Sequence, residues 1–198
     1  PLNSVFCAGG PTTVSPVTNF VTGKIWMDRN LGANQAATAP SDSPSFGDLY
    51  QWGRRSDGHQ CRTSQISNTQ SSVDQPTHGD FILPPPGETD WRSPQNNNLW
   101  QGTNGINNPC PSGYRVPTEA ELEAERLSWF VNNSDGAFGS QLKFPAASYR
   151  ATAGDVVFSL AGKYWSSTGG ALIFYENDAY TVSPHARASG FSVRCIQD

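Results

Sequence analysis

The sequence predicts an α+β domain in which one helix sits among many short extended segments. Three observations carry that reading. Apolar runs are brief and bounded by turn residues, only one segment joins a helix cap to a run of helix formers, and charged residues make up just 15% of a chain holding 19 Gly, 15 Pro and 6 Trp. Such a composition describes turn-rich, irregular structure with a core of aromatic rings rather than long amphipathic helices. At 198 residues the chain is long enough to bury a real core, and a single domain spanning 1–198 is expected.

In chain order, strands or strand-like segments are expected at 24–27, 49–52, 80–83, 156–158, 172–174 and 191–193, each an apolar run between turn formers. The helix is placed by Thr118 and Glu121, the two ends of a capping box, with Pro117 ahead of it and good helix formers behind. It should begin near Glu119, run through Leu122, Leu127 and Trp129 to Val131, and stop in the Asn-, Ser- and Gly-rich segment 132–136. The polar stretches 62–75 and 94–108 show no regular pattern, so Trp91 and Trp100 are expected to pin them to the body. Trp26, Trp52 and Trp165 are likewise read as core and Trp129 as packing the helix. Arg29, Arg54 and Arg194 stand beside aromatic residues and are read as buried or stacking partners that fix loop geometry.

Charge and cysteine usage narrow the setting. A net charge of -4 and a pI of 5.3 leave no basic footprint, which argues against a nucleic-acid binder. No apolar run is long enough for a bilayer, no basic-then-apolar segment opens the chain, and the absent initiator Met implies a mature or trimmed piece of something longer. Cys7, Cys61, Cys110 and Cys195 contain no C-x-x-C pair and no His at zinc-ligand spacing, which favours disulfides over metal. Three pairings are open. The favoured one joins Cys110 to Cys195 and Cys7 to Cys61, because Cys110 precedes the helix and Cys195 ends the last expected core strand. The competing reading is four buried thiols in a cytosolic protein.

Six motifs occur in order over nearly the whole chain: GKIWMDRNLGA at 23–33, GDLYQWGR at 47–54, DGHQC at 57–61, NPCPSGYRVPT at 108–118, YWSST at 164–168 and GFSVRC at 190–195. Together they resemble the Fibrobacter succinogenes major paralogous domain, a C-type-lectin-like family related to the sulfatase-modifying-factor fold. The resemblance implies a twisted antiparallel sheet with one or two helices and extensive loops. It further implies a secreted or surface-displayed bacterial module, phage- and outer-membrane-displayed forms included, and it does not imply an enzyme.

The end of the chain carries a second resemblance. YWSST, an arbitrary-looking stretch and GFSVRC look like the variable region of ligand-binding proteins diversified by retroelements, although Glu176 is not a residue that mutagenesis of an asparagine codon readily gives. The stretch between these anchors mixes aromatic, acidic, basic and small side chains without a catalytic pattern, and 169–189 reads as a recognition face. Its candidate contact residues are Ile173, Tyr175, Glu176, Asn177, Asp178, Tyr180, Val182, His185, Ala186 and Ser189. Tyr175, Tyr180 and His185 would supply rigid contact area, and Glu176, Asn177, Asp178 and Ser189 adaptable hydrogen bonds. Arg187 matches a frame position and is read as structural. A protein or glycan on another cell or surface is the expected partner.

Other chemistry has less behind it. Asp57, His59, His78 and Asp80 invite an acid/base or metal reading, yet Asp-Gly and His-Gly-Asp are ordinary turn chemistry. Ser166, Ser167 and Thr168 lie in no G-x-S-x-G elbow. No cofactor is expected. Structural calcium would draw on Asp42, Asp48, Asp57 and Asp80, but no D-x-D-x-D loop and no Glu-Pro-Asn or Gln-Pro-Asp triplet occurs, so sugar binding through calcium is not expected. Two competing classes remain, a catalytic relative of the formylglycine-generating, sulfatase-modifying enzymes and a structural adhesin spacer without a ligand. The former is disfavoured because no cysteine lies between Cys110 and Cys195 to make a reactive pair.

Overall fold

A computed structural model of the protein describes residues 4–198 and shows an α+β chain, sheet-rich, with two helices among small and mostly antiparallel sheets. In chain order the first strands are β1 (Pro16–Thr18), β2 (Ile25–Met27), β3 (Tyr50–Gln51), β4 (Ile66–Ser67), β5 (Phe81–Ile82) and β6 (Tyr114–Arg115). Helices α1 (Glu119–Leu127) and α2 (Ser134–Gly139) follow. The remaining strands are β7 (Tyr149–Arg150), β8 (Val156–Val157), β9 (Gly162–Trp165), β10 (Ala171–Phe174), β11 (Ala179–Val182), β12 (Gly190–Phe191) and β13 (Ile196–Gln197). They form sheets of order β1-β2-β13-β6, β11-β10-β9 and β3-β12-β7-β8, with β4 and β5 as a separate parallel pair. All six segments expected to be strands contain one. Of the strands not expected, β4, β6, β7 and β13 are two-residue pieces too short to show a period, while β1, β9 and β11 are three or four residues long and interleave small or polar side chains.

α1 starts where its capping box places it, Thr118 accepting from the Glu121 backbone and the Glu121 side chain accepting from Thr118. Arg115 grips the same carboxylate from outside the helix. The expected extension to Val131 is corrected: the helix ends at Leu127, because Ser128 and Trp129 donate back to Glu125 and Arg126 and turn the chain. That turn swings Trp129 inward, where its Nε1 donates to the buried Glu125, and leaves Phe130 in solvent. The segment expected as a stop instead nucleates α2. Asn133 caps it by accepting from Asp135 and Gly136, and Gly136 is required because a Cβ there would lie 1.8 Å from the Val131 carbonyl oxygen.

The β9-β10-β11 sheet is buried on both faces at its centre. By register, Trp165, Ala171, Ile173 and Val182 share one face and Tyr164, Leu172, Phe174 and Ala179 share the other. The first set packs with Trp52, Trp91, Trp100 and Phe191, the second with Trp26, Leu122, Trp129 and Phe144. β10 is therefore a continuous apolar run, as a doubly covered strand must be. Gly162 sits opposite Phe174 because any Cβ would enter that ring, 2.0 Å from its nearest atom.

The five expected core tryptophans are all buried, and four of them are pinned by hydrogen bonds to the backbone. Trp52 donates to Ser166 O, Trp91 to Trp52 O, Trp165 to Tyr50 O, and Trp100 to both Arg54 O and Asn107 O. Among the arginines, Arg54 lies over Trp91 and Arg194 over Phe144, both buried. Arg29 differs from expectation, since it pairs with the adjacent Asp28 rather than stacking. Cys7 joins Cys61 and Cys110 joins Cys195. Two disulfides are compatible with a secreted or extracellular protein. Among the described residues no helix is long and apolar enough to cross a membrane.

Trp165 fills the junction between two sheets, so Trp165→Ala is expected to cost roughly 3 to 5 kcal/mol, the usual penalty for emptying a buried aromatic site. Urea unfolding monitored by circular dichroism checks this; a midpoint unchanged from wild type would contradict the packing described.

Candidate functional site

The hairpin of β10 and β11 closes tightly, with Tyr175 N donating to Asp178 O, so Glu176 and Asn177 form its tip. Tyr175, Glu176, Asn177, Asp178 and Tyr180 are all exposed. The two tyrosine rings lean together, centroids 6.5 Å apart. Asp178 accepts from Ala179 N, and Asn132 from the turn before α2 donates to Ala179 O, which holds the tip against the helical side. A shallow depression of about 350 Å3 lies beside the tip, lined by Ser159, Leu160, Ala161 and residues 175–178.

The remaining candidate contacts fall elsewhere. Ile173 and Ser189 are buried and present nothing to a ligand, a correction to the expected face. Period two explains Ile173, whose side chain shares its face with Trp165. Ser189 lies in a turn under the core, its N–H donating to Ala186 O. Val182 is half-buried against the core. His185 and Ala186 are half-buried at the margin, His185 packing its ring edge-on against Trp165 and Phe191 with centroids 5.9 and 4.7 Å away. Arg187 is structural as expected, lying 3.9 Å over Trp52 while donating to Asn96 and Asn97.

Two side chains that border the face were not expected. Lys163 on β9 aligns across the sheet with Ile173 and, through it, Tyr180. Its ammonium stands 3.6 Å above the Tyr149 ring. Burial lowers its pKa, and burial followed by the Lys163 charge lowers that of His185. Lys163 directly precedes the YWSST motif and Tyr149 lies outside every motif, and neither carries a local signal of its placement.

The carboxylates and histidines considered for chemistry are largely absorbed by structure. His59 is fully buried; its Nε2 accepts from Gln51 N, so Nδ1 carries the proton and donates to Asp57 at 2.6 Å. Asp57 also accepts two hydrogen bonds from Arg54. Its carboxyl lies well below the usual range, since His59 and Arg54 outweigh its burial. Asp80 faces His78 near the surface, and Asp42 accepts from Gln35 and Thr38. Asp48 lies under Gly32 beside a cavity of about 310 Å3 lined in part by Phe6, Thr12, Leu31 and Tyr50, and burial lifts its pKa to about 7 against the pull of Arg62. Asp42, Asp48, Asp57 and Asp80, on which structural calcium would draw, do not come together; among the described residues no three His, Cys, Asp or Glu side chains converge. Compared with known proteins, the chain matches no family model, no curated protein and no solved structure.

Two buried groups should shape stability in opposite senses. Burial holds His59 neutral down to about 4, so from about pH 6.5 to 4 the unfolded chain takes up a proton that the folded protein refuses, and stability falls with pH. Asp48, raised to about 7, does the reverse over the same window, because the folded protein is protonated there and the unfolded chain is not. Asp57, depressed in the fold, loses its contribution only below about pH 3.8. Removing Asp48's titration with Asp48→Asn should therefore steepen the acid loss between pH 6.5 and 4 by about 3 kcal/mol relative to wild type. Urea melts across that range decide the matter; parallel profiles for the two proteins would contradict the assignment.

Proposed function

We propose that this chain is an extracellular or surface-displayed ligand-binding module of C-type-lectin-like build, acting as an adhesin or receptor-like domain. Its recognition face is the exposed end of the β10–β11 hairpin: Tyr175, Glu176, Asn177, Asp178 and Tyr180, with His185 and Ala186 at the margin. The observation that carries this reading is a contrast within one hairpin. Ala171–Phe174 is buried on both sides, and the four residues immediately following are exposed. A tip held by so rigid a base presents side chains without contributing to the core, and exposed positions of this kind usually change stability by under about 0.5 kcal/mol when replaced.

The same contrast is what a diversified segment requires, since the exposed tip can be rewritten while the base persists. Tyr175 and Tyr180 give broad amphipathic contact area at low entropic cost, and Glu176, Asn177 and Asp178 give adaptable polar contacts. The two disulfides agree with an oxidising compartment.

Arrays of surface proteins and of glycans probed with the purified domain would identify a ligand. Tyr175→Ala combined with Tyr180→Ala is expected to abolish that binding while the melting temperature stays within about 4 °C of wild type. Undiminished binding would move the site away from the hairpin, and collapse of the fold would make these rings core.

A further inference from the structure

One charged side chain at this face has no partner. Lys163 is only 9% exposed, and its Nζ lies 3.6 Å from the Tyr149 ring centroid and 5.4 Å from that of Phe191. Among the described residues no carboxylate and no hydrogen-bond acceptor meets it. The buried arginines are different: Arg54 is met by Asp57, Arg150 by Ser64, and Arg194 by Asn30 and the carbonyls of Met27 and Leu142. Beside Lys163 stands the half-buried His185, whose protonation is opposed by burial and then by the lysine charge. Two nitrogen groups thus share one spot with no counter-charge.

The surroundings narrow what could supply it. Leu160, 67% exposed, lines the depression at the hairpin tip together with Tyr175. Tyr180, which leans on Tyr175, shares a sheet face with Lys163, so an apolar and aromatic surface borders this largely buried cation. Tyrosines are enriched in protein–protein hot spots, where surrounding residues exclude water from the contact. A largely buried cation also gains more from a carboxylate than a fully solvated one does.

We propose that this face receives an acidic side chain, Asp or Glu, of a partner protein, its carboxylate resting against Lys163 Nζ beside His185 while Tyr175, Tyr180 and Leu160 cover the approach. The inference rests on the ligand-binding reading above and deepens it by naming the partner's chemistry. Lys163 is the anchor and the hairpin tip is the adjustable surround.

A phage-displayed library of cyclic peptides panned on the wild-type domain tests this. Binders are expected to hold Asp or Glu at one fixed position. Their affinity should fall roughly thirtyfold or more for Lys163→Met, less for Lys163→Arg, and by a similar factor when the peptide's acid becomes its amide. The losses should be non-additive in a double-mutant cycle. Because the peptide-side substitution leaves the domain untouched, the inference stays testable even if Lys163→Met unfolds. Binders without a fixed acid, or acidic binders indifferent to Lys163, would overturn it. So would binding confined to acidic glycans or to a second copy of this chain. Sensitivity to Tyr175→Ala and Tyr180→Ala without sensitivity to Lys163 sinks this inference and leaves the recognition face standing. Indifference to all three, or a library with no binder, counts against both.

Discussion

Residues 190–197 join sheets that would otherwise have little to do with one another. Gly190 and Phe191 pair with β3 and with β7, and Ser192 exchanges hydrogen bonds with Lys163 and Trp165 of β9. Val193 accepts from Leu31 and Cys195 from Met27, while Ile196 pairs with both β2 and β6. Arg194, buried between them, satisfies the Met27 and Leu142 carbonyls and Asn30. The Cys110–Cys195 disulfide then ties this run to the residues before α1, a closure of 85 residues that the chain-entropy model values at about 4.5 kcal/mol. Strands of two to four residues could not stand alone. Those of three of the four sheets are held together by this one extended segment.

That arrangement explains why the hairpin tip is free. The chain between Trp165 and Gly190 is fixed at both ends, the first by Ser192 and the second by Gln51 and Arg150, and within it the tip 175–178 stands outside the core. β10 spends its four residues on two hydrophobic clusters and needs nothing from 175–178. A binding surface placed there is decoupled from folding. Lys163 lies at the boundary, its backbone part of the frame through Ser192 and its ammonium turned toward the face.

Much of the frame was legible. The capping box at Thr118 and Glu121 is a local device that a sequence displays in full, and the buried tryptophans stood out because so large a ring is rarely left in solvent without reason. The helix end was not legible, since Leu127, Trp129 and Val131 continue an apolar pattern that the backbone abandons at Ser128. Asn133 reads equally as a breaker and as a cap; only the approach of Val131 O to Gly136 distinguishes them. The exposure of 175–178 was legible as a block, but the burial of Ile173 was not, because a doubly buried strand shows no alternation, nor was that of Ser189, a small polar residue in a turn. Lys163 was missed for the converse reason: a lysine between Gly162 and Tyr164 looks solvated until the fold brings Tyr149 over it.

The central claim is that a rigid terminal segment carries a face the fold does not need. A saturation-mutagenesis scan of residues 160–197, reading folded protein displayed on cells with a conformation-sensitive probe, tests it most directly. Folding should tolerate nearly any residue at 175, 176, 177 and 180 and reject most substitutions at Leu172, Phe174, Phe191, Arg194 and Cys195. Equal intolerance across both sets, or free substitution at Phe191 and Arg194, would contradict it.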